Sequence, residues 1–170
     1  MYIHPTAQVD PQARLSEWVI VEEGCQVGPQ VVLGQQSRLG AGTRITGEVK
    51  AGRGFRTGKN VTIVGPWQIG DEVKIYSGAV LGVVVAQTSR LECGTIGDTA
   101  RIGMDAQVLG KLAIGESAWV KPGSRLEGDL PTHAAATGSP AAIEFWRCTC
   151  GTPFRLVVFS EGLVVCTCPN

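Results

Sequence analysis

Aliphatic residues recur at every sixth position from the start of the chain. Counting from Ile3 through Leu81, twelve of fourteen such positions carry Val, Ile or Leu, the exceptions being Ala51 and Thr57. The next residue is glycine in seven cases, among them Gly34, Gly40, Gly58 and Gly70. The fourth residue on is smaller or branched, as at Ala7, Ala13, Val31, Ser37, Thr43 and Val61. An α-helix, with 3.6 residues per turn, would smear a period of six around its whole surface. A strand repeats every two residues, so six return the aliphatic side chain to the same face. A turn between units would let glycine take φ > 0. The pattern predicts short strands joined by corners and stacked in coils around one continuous core.

The register breaks once. After Leu81 it resumes at Ile96 and continues through Ile102, Val108, Ile114, Val120 and Leu126. A gap of 15 residues, in place of 12 or 18, predicts that about three leave the ladder as a short corner loop within residues 84–94. Such excursions from a regular scaffold often carry functional groups. The repeat ends near Ile143, which divides the chain into a repeat domain, 1–143, and a cysteine-rich tail, 144–170. Residues 154–159 and 163–165 read as two short strands, flanked by Cys148-Thr149-Cys150 and Cys166-Thr167-Cys168. A hairpin would bring Cys148, Cys150, Cys166 and Cys168 within tetrahedral reach of one structural zinc. Disulfides and free thiols are the alternatives. Cys25 occupies a small inward slot and reads as core, while Cys93 stands apart.

Composition narrows the class. The chain has 170 residues, one domain's worth. It holds 23 glycines, well above the usual share of about 7%. With 44% hydrophobic and 18% charged residues it has ample apolar surface to bury, which excludes disorder. Fifteen basic and fifteen acidic residues leave no net charge, and hence no expected electrostatic footprint for nucleic acid or an anionic membrane. The longest nearly apolar run, 79–86, is far short of the roughly 20 residues of a membrane span. The start has neither a basic segment nor an apolar stretch, so a cytoplasmic protein is expected. The P-loop-like run Arg53-Gly54-Phe55-Arg56-Thr57-Gly58-Lys59-Asn60 lacks the first glycine and the closing Ser/Thr, and it lies inside the six-residue period.

The repeat over residues 1–143 resembles that of the hexapeptide-repeat acyltransferases. Ile3-His4-Pro5-Thr6-Ala7 and Lys74-Ile75-Tyr76-Ser77-Gly78-Ala79-Val80-Leu81-Gly82 are similar to UDP-N-acetylglucosamine acyltransferases. Gly115-Glu116-Ser117-Ala118, Pro122-Gly123-Ser124, Asp129-Leu130-Pro131-Thr132-His133 and Gly138-Ser139-Pro140-Ala141 are similar to serine and amino-sugar acetyltransferases. The resemblance implies an all-β fold: a left-handed parallel β-helix of about seven coils, followed here by the small cysteine-rich hairpin. It implies a homotrimer that binds acetyl-CoA or another acyl-CoA between subunits near the last coils. Carried over by position, Gly103, Ala118, Lys121, Gly138 and Pro140 are the cofactor-binding candidates. Some amino-sugar acetyltransferases of this kind carry a similar Cys-Gly tail, in keeping with the zinc reading.

Most members use a histidine from a middle coil or loop as the base. Here His4 falls in the Ile-His-Pro element that the family uses structurally. His133 matches the Pro-x-His turn of serine acetyltransferases and does not match the usual base. Two histidines are also too few for the three zinc ligands of a γ-class carbonic anhydrase. An amine needs a base less urgently than a hydroxyl, so N-acylation of an amino sugar, nucleotide-linked or free, is the expected reaction. Asp71, Glu72, Tyr76, Glu92 and Asp105 are the substitutes for the base. The alternative is a non-catalytic β-helix that holds a protein partner.

Overall fold

The computed structural model describes residues 1–82, 93–110 and 112–147, with the strand Pro153–Phe154. They form three sheets and no helix. Successive short strands visit face A, face B and face C in turn, so each face collects every third strand. Face A begins at Tyr2–Ile3, face B at Gln8–Val9 and face C at Arg14–Leu15. All neighbouring strands along the repeat are parallel. Through the first coils, partners stand three units of the repeat apart, as in Ile3 with Val21 and Leu15 with Leu33. The result is a parallel β-solenoid of about seven turns. At roughly 4.8 Å per coil it is on the order of 30 Å long.

Two departures from the three-unit step shape the second half. Ile69 pairs with Ile96 and Ile75 with Ile102, each four and a half units apart, so nine residues leave the ladder between faces B and C. The expected loop of about three residues is thus too short. The gap between Leu81 and Ile96 spans one corner step of six plus nine, not two steps plus three. Residues 83–92, including Glu92, lie outside the described residues. The last coil contracts instead: Leu130 bridges Ile114 and Ala136 pairs with Val120, each two residues short of three units.

The period-six glycines have a different cause from the one expected. Gly34, Gly40, Gly58, Gly103 and Gly115 do not take positive φ. A Cβ at any of them would fall less than 3.0 Å from the backbone of the next coil, closer than real Cβ atoms come. They are glycine because coils stack there. The left-handed position comes two residues later and is held by Gln36, Asn60, Asp105 and Ser117 as well as by Gly42 and Gly123. The strain of a non-glycine residue there is offset locally. The N–H of each of these four donates to a carbonyl of the preceding coil, at 2.8–3.1 Å.

The inner rows form one core in which Leu39, Ile45, Phe55, Ile63, Trp67 and Leu81 are almost wholly buried. Of the buried hydroxyls among the described residues, those of Ser37, Thr43 and Thr57 are paired and that of Ser124 is not. Ser37 Oγ donates to Gly34 O (2.7 Å), and Thr57 Oγ1 accepts the Gly40 N–H (3.0 Å) and lies 3.1 Å from Thr43 Oγ1. Cys25 is buried, with its Sγ 3.3 Å from Gly40 O, and burial pushes its thiol up. Beyond the last coil, Ala134–Gly138 folds back on Ala141–Arg147 as an antiparallel hairpin. Pro153–Phe154 adds to its outer edge. Face A therefore continues across residue 143, where the sequence pattern stops. Cys148, Cys150, Cys166 and Cys168 lie outside the described residues.

Candidate functional site

A groove of about 590 Å³ runs along face C over the later coils. Its floor is the outward row Gln68, Thr95 and Ala113, one residue from each of three adjacent strands. One wall is the glycine column Gly70, Gly97 and Gly115, whose missing side chains let the coils close up and leave the corner open. The far end is formed by Asp129, Leu130, Pro131 and Thr132 of the contracted coil. The short side chains of Thr95 and Ala113 and the contraction together make the depression.

Asp129 is the one ionisable side chain lining the groove among the described residues. Its Oδ1 accepts the N–H of Ala113 at 2.7 Å, the backbone position where the shortened coil fails to supply a strand. Neither histidine lines the groove. The N–H groups of the glycine column do not point to a ligand: Gly70, Gly97 and Gly115 all donate to the next coil at 2.7–2.8 Å.

Those residues singled out from sequence that the structure describes fall elsewhere. Tyr76, Gly103 and Lys121 form a column on the corner between faces A and B, and Asp105 lies on the same corner. Asp71 and Glu72 lie on the corner between faces C and A. Asp71 Oδ1 accepts the Arg53 N–H at 2.8 Å. The carboxylates of Glu72 and Asp105 sit over the glycines of the preceding coil, Gly54 and Gly78. Gly103 is buried at a stacking position, and Ala118 points into the core. Lys121 Nζ is 2.5 Å from Glu144 Oε2 and lies over the rings of Phe145 (5.1 Å) and Trp119 (5.7 Å). Gly138 and Pro140 are exposed at the turn of the terminal hairpin. His4 closes its own turn, with Nδ1 2.8 Å from Thr6 Oγ1. His133 occupies a left-handed corner, and its carbonyl accepts the Arg147 N–H at 2.8 Å. Gln68, Thr95 and Ala113 went unmarked because outward positions follow no hydrophobic period, and Asp129 was marked only as part of the run Asp129–His133, with no role of its own. The signal available was the placement of Gln68, Thr95 and Ala113 at the outward position of one face.

No family model matches the chain. Over 75 residues it is 37% identical to serine acetyltransferase 4 of Arabidopsis thaliana, covering 44% of this chain and 21% of that protein. Over 69 residues it is 35% identical to the dTDP-3-amino-3,6-dideoxy-alpha-D-galactopyranose 3-N-acetyltransferase of Aneurinibacillus thermoaerophilus, covering 41% and 34%. The chain thus matches well under half the length of these curated relatives. The fold is shared with PerB of Caulobacter crescentus, solved with CoA and GDP-perosamine. There the TM-score is 0.61 at 22% identity, over 84% of this chain and 56% of that one. The N-acyltransferase AntD of Bacillus cereus, solved with dTDP and 3-hydroxybutyryl-CoA, gives 0.62 at 16% identity, over 83% of both chains. The chain thus shares repeat sequence with these acetyltransferases over less than half of its length, and the solenoid fold with PerB and AntD. Among the resemblances read from sequence, these relatives carry the serine and amino-sugar one.

Proposed function

We propose that the protein transfers an acyl group, acetyl in the simplest case, from acyl-CoA to the amino group of a nucleotide-linked amino sugar. The observation that carries the reading is the groove on face C, with Thr95 and Ala113 on its floor and a single carboxylate, Asp129, at its end. Support comes from the relatives: an amino-sugar 3-N-acetyltransferase by sequence, and by fold two proteins solved with coenzyme A or an acyl-CoA. In the proposed assembly, a homotrimer, a second subunit covers the groove. The amine nitrogen attacks the thioester carbon, the carbon–sulfur bond breaks, and the amide and a thiol are released. Asp129, anchored by the Ala113 N–H, takes the proton that the nitrogen loses, in place of the family histidine, and passes it to the departing sulfur, so that the thiol leaves neutral and the carboxylate is restored. Holding amine and thioester together supplies most of the acceleration.

The test is release of free thiol from acetyl-CoA in the presence of nucleotide-linked amino sugars. Turnover that needs the sugar amine supports the reading, and no turnover with any amine acceptor overturns it. The rival reading, a non-catalytic scaffold, is favoured by one observation, the absence of either histidine from the groove. Binding of acetyl-CoA without turnover would decide for it. We also propose that Cys148, Cys150, Cys166 and Cys168 hold a structural zinc. Protein purified under reducing conditions should then carry about one zinc per chain. A metal-free protein would remove that assignment.

A further inference from the structure

The two ends of the solenoid are unlike. At the C-terminal end the hairpin of Ala134–Gly138 and Ala141–Arg147 follows the last coil, and Ala141 and Trp146 pack against the core. Nothing among the described residues covers the first coil. Its inner row, Ile3, Val9 and Leu15, is partly exposed, whereas Val21, Val27 and Leu33 one coil on are buried. The N–H groups of Tyr2, Gln8 and Ser16 donate to the second coil. Backbone groups alternate in direction along a strand, so those of Ile3, Val9 and Leu15 face off the end, where no described strand pairs with them. Exposed apolar side chains gather there as well: Met1, Tyr2, Ile20 and Trp18, the last 70% exposed. Trp18 has φ 61°, an outlier for so bulky a residue. It is the first of a left-handed column on the corner between faces C and A. Gln36, Glu72, Thr99 and Ser117 in that column each donate their N–H to the preceding coil, at 2.7–3.1 Å. Trp18 has no preceding coil, and no backbone carbonyl among the described residues accepts its N–H. Beside it opens a hollow of about 410 Å³, lined by Met1, Leu15, Ser16, Glu17 and Trp18.

We propose that this end docks on the same end of a second copy of the chain, two solenoids meeting first coil to first coil. Three features select that occupant. The end offers three strand edges around a part-exposed apolar centre. A single peptide strand could satisfy one edge, whereas another solenoid end presents three. A protruding indole and a hollow with room for one lie side by side on the same surface. An isologous contact needs that arrangement, because a twofold axis brings each knob to the other copy's hole. The third feature is shape. The coil climbs as it turns, so the end is a ramp with one step, at the corner between faces C and A that precedes the strand Tyr2–Ile3. Two ramps of the same hand keep an even gap across a twofold axis only when the axis passes through the step. Trp18 and its hollow lie at that step. The same axis sets face A of one copy against face C of the other, and face B against face B, with strands antiparallel. The contact is one coil across, so the pair forms as concentration rises and is not obligate. Both copies use their open ends, which closes the pair against fibre growth. The inference depends neither on acyl transfer nor on the homotrimer, because end-to-end docking doubles whatever assembly the faces build.

The experiment is light scattering from micromolar to near-millimolar protein, with small-angle X-ray scattering at the top of the range. The mass should rise to twice its low-concentration value, whether that value is a monomer or a trimer. The longest dimension should grow by about 30 Å, one further prism. Trp18→Glu should hold the low-concentration mass throughout. Trp18→Asn guards against misfolding, since asparagine suits a left-handed backbone. It should also stay unpaired, with a Tm no lower than that of dilute wild-type protein. Met104→Glu makes as drastic a change at an exposed apolar residue of the corner between faces A and B, and should leave the doubling intact. Phosphatidylcholine vesicles, the probe for a lipid partner, should not bind the wild type. A mass that fails to rise, doubling without the gain in length, or doubling that survives either Trp18 substitution would each overturn the assignment. So would doubling lost in Met104→Glu, a Trp18→Asn protein less stable than dilute wild type, or capture by the vesicles.

Discussion

Faces A and C bury matching inner rows and turn opposite outer rows to solvent. Inside, face A contributes Leu39, Ile75, Ile102 and Val120, and face C contributes Leu33, Ile69, Ile96 and Ile114. Outside, face A carries Arg38, Arg56, Lys74 and Arg101, while face C carries Gln68, Thr95 and Ala113 beneath a groove. A strand's two-residue alternation separates these duties. One parity is tied to the core on every face, and the other is free to differ. In this protein the inner rows make the solenoid and the outer rows make the surfaces on which a ligand can act.

That separation is tested most severely from the inside. Ile75→Ala and Ile114→Ala remove equally buried side chains from faces A and C. Each should cost about 2–5 kcal/mol in chemical denaturation. A large difference between them would show that the two inner rows are not equivalent. The sharpest test from the outside is Asp129→Asn, which keeps the shape of the groove's carboxylate and removes its basicity. It should lower turnover about a hundredfold with little change in Tm, as loss of a positioned base does. Full activity would take the proton-accepting role away from Asp129.

The two kinds of corner glycine should also part company. Gly103→Ala drives a Cβ into the backbone of the next coil at Pro122 and should cost about 1–3 kcal/mol. Gly123→Ala meets open space and pays for its left-handed backbone alone, about 1 kcal/mol. Equal costs would mean that stacking is not what selects glycine at the period-six positions. The smallest effect belongs to the end of the cationic row on face A. The hydrogen bond from Arg38 holds the Glu22 carboxyl below the usual carboxylate range. A lowered folded-state value gives stability that is present above the ordinary carboxylate range and lost as pH falls through the lowered value. Both side chains are partly exposed, so Arg38→Gln should cost only about 0.5 kcal/mol at neutral pH. In acid, below the ordinary carboxylate range, that difference should shrink, and a difference that grew there would contradict the pairing.

The strands and their parity were legible in sequence because burial of the inner row imposes a period, while the number of coils followed from the resemblance to the hexapeptide-repeat family. The size of the insertion was not. The gap between Leu81 and Ile96 has two readings, and the pairing of Ile69 with Ile96 selects the longer loop. Nor could sequence say why Gly34 or Gly115 is glycine, since a close approach and a positive φ select the same residue. The groove was hidden for a related reason. Gln68, Thr95 and Ala113 are each separated along the chain by a full coil or more, so they become neighbours only when the coils stack. Asp129 becomes the end of the groove because the last coil is two residues short, a length that no local motif announces.

The most direct test of the groove as the acyl-donor site is a thermal-shift titration with acetyl-CoA, on wild-type protein and on Ala113→Trp. The variant's indole would fill the floor without touching the core. At a hundredfold excess over Kd, a ligand that binds only the folded protein stabilises it by about 2.7 kcal/mol, which raises the Tm of a chain this size by roughly 5–10 °C. The account predicts that shift for the wild type and none for Ala113→Trp. No shift in the wild type at millimolar acetyl-CoA, or the same shift in both proteins, would contradict it.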